Sequence, residues 1–199
     1  MLNKNNIESL FQGKNNNLEL GCGPSKKEGY IGIDSIDYSC VDICGDVFEI
    51  LNVIPDGSCN AIYASHFFCH IKDWERLLNE CSRILCNNGS LNIVNPHFSN
   101  PFFFSDPTHI KTCGLYSFSY YAIDNMFHRK VPLYANTGFT LNSYLLVFKA
   151  PKPFYISYLV GKFFTKIFNV SCFISELYEW HLSKYISCYE VRFNLQKVK

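Results

Sequence analysis

Five short apolar segments in the first half of the chain are each followed by glycine, an acid or a histidine, and this pattern constrains the fold most strongly. The segments are LEL (18–20), YIGID (30–34), Val41–Ile43, NAIYAS (60–65) and SLNIVN (90–95). Residues 74–85 carry apolar side chains at helical spacing, with Asp73 as N-cap and Asn87-Asn88-Gly89 as a stop signal. Strands that alternate with helices predict a doubly wound, mostly parallel α/β sheet.

Two later segments, TLNSYLLVF (140–148) and YEVRFNLQKV (189–198), bring the expected number of strands to seven. The last segment alternates apolar and polar residues, which predicts a half-exposed, antiparallel edge strand. No linker divides the chain, so residues 1–199 are expected to form one domain. Residues 1–16 are predicted to be a mobile arm or a short helix. The aromatic segment 151–187 is predicted to be a helical, lid-like insertion.

Charge and cysteine usage exclude several classes of protein. The net charge is +1 and only 18% of residues are charged, so no basic excess indicates a nucleic-acid partner. The ten cysteines form no CxxC pair, and the N-terminus carries no apolar signal segment. No stretch is apolar enough to span a membrane, since residues 154–174 are interrupted by glycine, lysine and asparagine. We therefore expect a cytoplasmic protein with reduced thiols.

The residues that follow the strands define the candidate site, because ligands of such sheets bind at the carboxyl ends of the strands. In chain order these residues are Gly21-Cys22-Gly23, Asp34, Asp46, His66 and His97. The glycines allow close backbone approach to a ligand, and Asp34 is suited to accept hydrogen bonds from two ribose hydroxyls. Asp46 is suited to an adenine amino group, and Glu19 to a cationic α-amino group. Together they predict a site for an adenosine with an amino-acid tail.

Each of these residues alone has an ordinary structural explanation. A lone GxG is most often a turn, and a single acid after a strand is often a helix cap. Their occurrence in this order along the chain favours the nucleoside site.

The motifs resemble those of the class I S-adenosylmethionine (SAM)-dependent methyltransferases, type 11. LELGCGP (18–24) is similar to their first motif and YIGID to their second, with Asp34 as the ribose acid. PDGSCNAIYASHFFCHI (55–71) and CSRILCNNGSLNIVNPH (81–97) resemble later motifs, and the similarity continues through HFSNPFFFSDPTH (97–109) and the final strand. Cys69 and Asn60 depart from the acidic residues of the family pattern. The resemblance implies SAM as cofactor, bound by Glu19, Gly21, Cys22, Gly23, Asp34, Asp46, Val47, Ser65 and His66.

The connection between the first two strands discriminates between cofactors. Only residues 21–29 separate LEL from YIGID, too few for a normal crossover helix, so the first helix is expected to be missing or shortened. A dinucleotide needs that helix for its pyrophosphate, whereas SAM has no phosphate. Lys26 also stands at the third glycine position of the dinucleotide motif. Both observations favour SAM over NAD.

The acceptor side offers three candidate catalytic residues: His97 after the fifth strand, and Asp106 and His109 in the loop that follows it. An alcohol or phenol acceptor needs a base, and imidazole titrates near neutral pH. In the alternative interpretation, His97 only orders the loop and His109 caps a helix near 115–123. His66 is expected to belong to the cofactor wall rather than to act as the base.

These observations predict transfer of a methyl group from SAM to a small-molecule or glycan acceptor at oxygen or nitrogen. No cluster has clear metal-ligand spacing, so no metal requirement is expected. The aromatic, lysine-containing segment 151–187 is compatible with a lid, with a partner or with contact to a membrane surface. The alternatives are a non-catalytic SAM-binding module and, less favoured, an NAD-dependent oxidoreductase.

Overall fold

The computed structural model describes residues 7, 9–11, 16–150 and 153–198. The strands are β1 (Asn16–Leu20), β2 (Ile31–Asp34), β3 (Ile43–Cys44), β4 (Cys59–Ser65), β5 (Leu85–Pro96), β6 (Phe139–Val147) and β7 (Glu190–Lys197). The helices are α1 (Val47–Val53), α2 (Trp74–Ile84), α3 (Tyr155–Phe168) and α4 (Cys172–Leu177). Single helical turns occur at Phe68–His70 and Pro101–Ser105, and a π-helical turn at Tyr178–Leu182.

The seven strands form one sheet in the order β3-β2-β1-β4-β5-β7-β6. Neighbouring strands from β3 to β5 are parallel, while β7 pairs antiparallel with both β5 and β6. The predicted doubly wound, mostly parallel sheet with antiparallel late strands is confirmed. The edge position predicted for the last strand is wrong, because β7 lies between β5 and β6. Its alternating pattern reflects two sheet faces of different polarity.

The two faces of the sheet differ in polarity because helices cover one face, while the connections on the other face contain no helix. On one face, Leu18, Ile62 and Leu91 are buried in a core shared with α1 and α2. The other face carries Tyr63, Asn92, Asn194 and Arg192, which line an open cavity of about 460 Å³. Asn194 donates to Asn92 at 2.8 Å and accepts from Asn142 at 3.0 Å. Residues 21–30 and 35–42, all described, contain no helix, so this face stays polar and partly open.

Local signals explain the ends of the clearest helix. The side chain of Asp73 caps α2 by accepting from the Arg76 amide at 2.9 Å, as predicted. Buried Trp74, Leu77 and Ile84 face the core. Strand β5 begins at Leu85, five residues earlier than predicted, because the Asn88–Gly89 region is accommodated as an irregularity in its pairing with β4.

Three further predictions concern the arm, the helix near 115–123 and the insertion. Most of the arm 1–16 lies outside the described residues, although Ile7 and Phe11 are buried in the core. Residues 115–121 form successive turns rather than the predicted helix. Of the predicted insertion 151–187, the described part contains α3, α4 and the π-helical turn, between β6 and β7. No helix within the described ranges is long and apolar enough to cross a bilayer.

Candidate functional site

Two neighbouring cavities lie at the carboxyl ends of β1, β2 and β4. Their volumes are about 500 Å³ and about 520 Å³, and both are lined by Gly21. All nine residues predicted to bind the cofactor line one or both of these cavities. Gly21, Asp34, Asp46, Val47 and His66 line the first, and Glu19, Gly21, Cys22, Gly23 and Ser65 line the second. The structure therefore brings the whole predicted set together at one edge of the sheet.

The glycine turn gives the site its shape. Gly21 has a φ of +63°, and a Cβ atom at this position would collide with the ring of Phe67. Any larger residue would be strained in its backbone and would clash with a wall of the first cavity.

Asp34 closes the turn from the next strand. Its Oδ2 accepts from the Gly23 amide at 2.8 Å and its Oδ1 from the Ile36 amide at 2.9 Å. A carboxylate oxygen can accept a second hydrogen bond, so both oxygens retain capacity for ligand hydroxyls.

Asp46 caps a helix, which is the common structural role of an acid that follows a strand. Its Oδ1 accepts from the Phe48 and Glu49 amides at 2.9 and 3.1 Å, which starts α1. Because Asp46 also lines the first cavity, capping does not remove it from the site. The cap fixes the orientation of its carboxyl group, which is what recognition of an adenine amino group requires.

The second cavity contains a buried acid. Glu19 is only 4% exposed and accepts from the Lys27 amide at 2.6 Å. Burial raises the pKa of Glu19 despite this hydrogen bond. Burial also raises the pKa of the neighbouring Cys22 thiol to about 11, with Asp34 and Glu19 adding to the effect. Cys22 is therefore a neutral wall residue, since only a thiolate is a strong nucleophile.

His66 lies where the cavity meets the last strand. It has a φ of +54°, and its Nε2 is 3.5 Å from Oε2 of Glu190. Glu190 is 2% exposed and also contacts Lys149 at 3.0 Å and Arg192 at 2.6 Å. Burial alone would raise the pKa of Glu190. Hydrogen bonds from His66, Arg192 and Lys149 have the larger combined effect and lower the pKa to about 2. An ionised carboxylate thus stands beside a half-exposed imidazole.

The sequence interpretation did not include Glu190 or its partners. A signal for Glu190 was present, because it begins the polar set of an antiparallel strand. An antiparallel strand starts at the edge of the sheet where the parallel strands end. Its first polar residue therefore lies near the ligand-binding ends of the parallel strands. The pairing of Pro96 with Glu190 shows this arrangement.

His97 is completely buried, and both of its ring nitrogens have partners. Nδ1 lies 2.8 Å from Ser99 Oγ, and Nε2 lies 3.2 Å from Oε2 of Glu179. Asn100, nearby in the same loop, donates to the Tyr189 carbonyl at 2.8 Å. This placement favours the alternative in which His97 orders the loop.

His109 and Asp106 lie together beside the first cavity. His109 Nδ1 is 2.9 Å from the Phe103 carbonyl, and its Nε2 is 3.7 Å from Asp106 Oδ2. Hydrogen bonds from Thr108 hold the pKa of exposed Asp106 below its usual value. Residues 115–121 form no helix, so the alternative in which His109 caps a helix there is wrong. Thr108 and His70 line the first cavity, and the His70 and His109 rings are 4.8 Å apart.

All ten cysteines fall within the described ranges, and all are free thiols. Two groups of side chains place potential metal-ligand atoms within 4.8 Å of one another, which the sequence spacing did not indicate. They are Cys69, His70 and His109, and His128, Cys172 and Glu176. Cys69 is buried, and burial raises its pKa to about 12.

Comparison with known proteins agrees with this geometry. Residues 18–93 match a family model described as a methyltransferase domain. The fold is similar to a SAM-dependent methyltransferase from Archaeoglobus fulgidus, with a TM-score of 0.61, 14% identity and coverage of 98% of this chain and 95% of that one. It is also similar to phosphoethanolamine N-methyltransferase 2 of Haemonchus contortus, with a TM-score of 0.53 and 14% identity. This match covers 98% of this chain and 52% of that one. No curated protein matches the sequence.

Residues 18–93 therefore resemble a methyltransferase domain, and the strand order gives the chain the fold of the SAM-dependent methyltransferases. The resemblance predicted from the sequence is confirmed.

Proposed function

We propose that the enzyme transfers a methyl group from SAM to a small-molecule or glycan acceptor, at oxygen or nitrogen. The observation that carries the proposal is the pair of neighbouring cavities, beside which an imidazole faces a buried carboxylate. Methyl transfer from a sulfonium needs alignment of the nucleophile and exclusion of water, and a hydroxyl nucleophile also needs a base. A pocket of this size, with a few convergent polar groups, suits a small ligand.

In this proposal the two cavities divide the cofactor between them. Asp34 binds the ribose, and Asp46 with Val47 receives the adenine in the first cavity. Glu19 and the turn at Gly21, Cys22 and Gly23 surround the amino-acid tail in the second. Ser65 and His66, at the end of β4, flank the region where the methyl group would be presented.

The base is proposed to be an imidazole paired with a carboxylate. The sequence assigned His66 to the cofactor wall, but the pair of His66 with Glu190 is now favoured as the base. His66 lines the first cavity, and Glu190 can orient its ring and stabilise the imidazolium formed by proton uptake. His109 with Asp106 is the second pair and stands behind Thr108 and His70. His97 is proposed to position the loop that carries this second pair.

The composition of the chain and one protein of similar fold support a small acceptor over other classes. The absence of a basic excess disfavours nucleic acid. The Haemonchus contortus enzyme, similar in fold, was solved with phosphomonomethylethanolamine, which is a small amine. The missing helix after β1 likewise disfavours an NAD-dependent oxidoreductase.

The direct test supplies SAM with a radiolabelled methyl group and a panel of small amines, phenols, alcohols and oligosaccharides, with RNA and protein as further acceptors. We expect label transfer to a small molecule together with release of S-adenosylhomocysteine. Transfer to RNA or protein alone would contradict the proposal. SAM binding without transfer to any member of a broad panel would favour the non-catalytic module.

A further inference from the structure

Helix α3 presents large apolar side chains to solvent along one side. Ile156, Leu159, Val160, Phe163 and Ile167 follow helical spacing, and each is exposed, Ile156 by 81% and Leu159 by 65%. We call these five residues the apolar stripe. Their spacing of three and four residues places them on a single face of the helix.

The opposite side of α3 is fixed to the domain. Phe168 is buried against Phe148, with ring centroids 5.3 Å apart. A Cβ atom at Gly161 would meet the Phe148 carbonyl oxygen at 2.5 Å, so the helix lies very close to the backbone there. The apolar stripe is therefore held outward by packing on the other side.

A second group of exposed apolar side chains follows α3 in the chain. In α4 and the turn after it, Phe173, Leu177 and Trp180 are exposed by 60%, 41% and 70%, at spacings of four and three residues. Monomeric soluble proteins rarely expose large contiguous apolar patches, and those that exist commonly mark an interaction site.

The charge of this part of the chain is strongly asymmetric. Residues 125–189 contain seven lysines and arginines and two acids, a net charge of +5, while the rest of the chain contains eleven and fifteen, a net charge of −4. The two acids are turned inward: Glu176 pairs with His128 and accepts from Tyr116, and Glu179 contacts His97. Lys162, Lys166 and Lys184 are exposed.

Two of these lysines lie beside the apolar stripe. Tyr155, Tyr158, Lys162 and Lys166 follow the next row of the helix, and Lys162 Nζ lies 4.6 Å from the centroid of the Tyr158 ring. The aliphatic part of a lysine side chain can lie along an apolar surface while its ammonium group extends to a polar environment. Tyrosine is likewise favoured where apolar and polar surroundings meet.

We propose that the apolar stripe docks on an anionic lipid surface, with α3 lying in the plane of the interface and Lys162 and Lys166 at the headgroup phosphates. A helix of 14 residues is too short to span a bilayer, which takes about 20 apolar residues. Exposed apolar residues beside lysines are instead typical of interfacial helices. A second copy of this chain would bring two surfaces of the same positive charge together, which disfavours self-association through this face.

The test is co-sedimentation of the full chain with vesicles. One set contains only phosphatidylcholine, and the other also contains phosphatidylserine. We expect binding to the anionic vesicles that is weakened by salt, and little binding to the neutral ones. The triple variant Ile156→Ser, Leu159→Ser, Phe163→Ser and the double variant Lys162→Glu, Lys166→Glu should each lower the partition coefficient at least about tenfold.

Matched controls alter the same kinds of residue elsewhere. Leu10→Ser, Ile123→Ser, Val198→Ser removes three exposed apolar side chains, and Lys72→Glu, Arg76→Glu reverses two exposed charges. Both controls should bind vesicles like the wild type, and circular dichroism should show that all variants fold. Equal binding by the stripe variants and their controls, or no binding to anionic vesicles, would overturn the proposal. A dimer in light scattering that the stripe triple variant dissociates, without vesicle binding, would assign the face to a second copy.

Discussion

The part of the site that is proposed to bind the cofactor (the cofactor side) and the part that is proposed to face the acceptor (the acceptor side) are held together in different ways. On the cofactor side, Asp34 and Asp46 accept hydrogen bonds from backbone amides, mostly two or three residues further along the chain. On the acceptor side, His97 contacts Glu179, which is 82 residues away, and His66 contacts Glu190 on the last strand. The cofactor side is therefore shaped by local turns, while the acceptor side depends on how the π-helical turn after α4 and strand β7 pack against the sheet.

The largest expected effect concerns proton removal on the acceptor side. His66→Asn should lower turnover about 100-fold or more on a hydroxyl acceptor, the usual contribution of a general base. Asparagine is chosen because it tolerates the positive φ of this position. Turnover is measured at saturating SAM, with SAM affinity measured separately.

His109→Ala is the matched control for the second imidazole–carboxylate pair. If His109→Ala loses turnover and His66→Asn keeps it, the assignment of the base moves to His109 and Asp106. If both retain full turnover on the true acceptor, the acceptor needs no deprotonation.

The next effect is a pH dependence of stability that arises from Glu190. Its folded-state pKa of about 2 lies below the ordinary value of 4.5, so the stabilisation is fully present above about pH 5 and is lost as pH falls toward 2. The full contribution is on the order of 3 kcal/mol. Glu190→Gln should flatten this part of the pH profile of the unfolding free energy, measured by denaturant titration. Exposed Glu28→Gln is the control, and an unchanged profile in Glu190→Gln would contradict the interpretation.

A smaller effect is expected at His97. His97→Asn removes the contact with Glu179 inside the protein, and should lower the unfolding free energy by about 2 kcal/mol, the scale of a lost buried polar contact. Turnover of the folded fraction should stay within about tenfold of the wild type. Loss of turnover at unchanged stability would instead return His97 to a catalytic role.

The sequence predicts which residues meet at the tips of the parallel strands better than it predicts the contacts around His66 and His97, and the reason is physical. The nine residues predicted to bind the cofactor lie at or next to the ends of strands whose order determines which ends meet, so their proximity could be inferred from the chain order. Glu190 lies on an antiparallel strand whose position between β5 and β6 was predicted wrongly as an edge. The contact between His66 and Glu190 depends on that register, and no local pattern around His66 indicates it.

The same reasoning explains the mixed outcome for helices. Caps and apolar spacing are local, so α2 was predicted almost to the residue, and the missing helix between β1 and β2 followed from the length of the connection. Residues 115–121 form turns because tertiary contacts decide them: Phe118 stacks on Trp74 with ring centroids 5.0 Å apart. Such a contact can override a weak helical pattern.

The most direct test of the central claim, that SAM binds at the tips of β1, β2 and β4, is calorimetry of SAM binding to wild type and to Asp34→Ala. The wild type should bind SAM, and the variant should bind it more weakly by about 1–3 kcal/mol, the loss expected for charge-assisted hydrogen bonds. Asp34→Asn, which keeps one acceptor oxygen, should lie between them, and His109→Ala should match the wild type. Unchanged SAM affinity in a folded Asp34→Ala variant, or tight NADH binding without SAM binding by the wild type, would contradict the account.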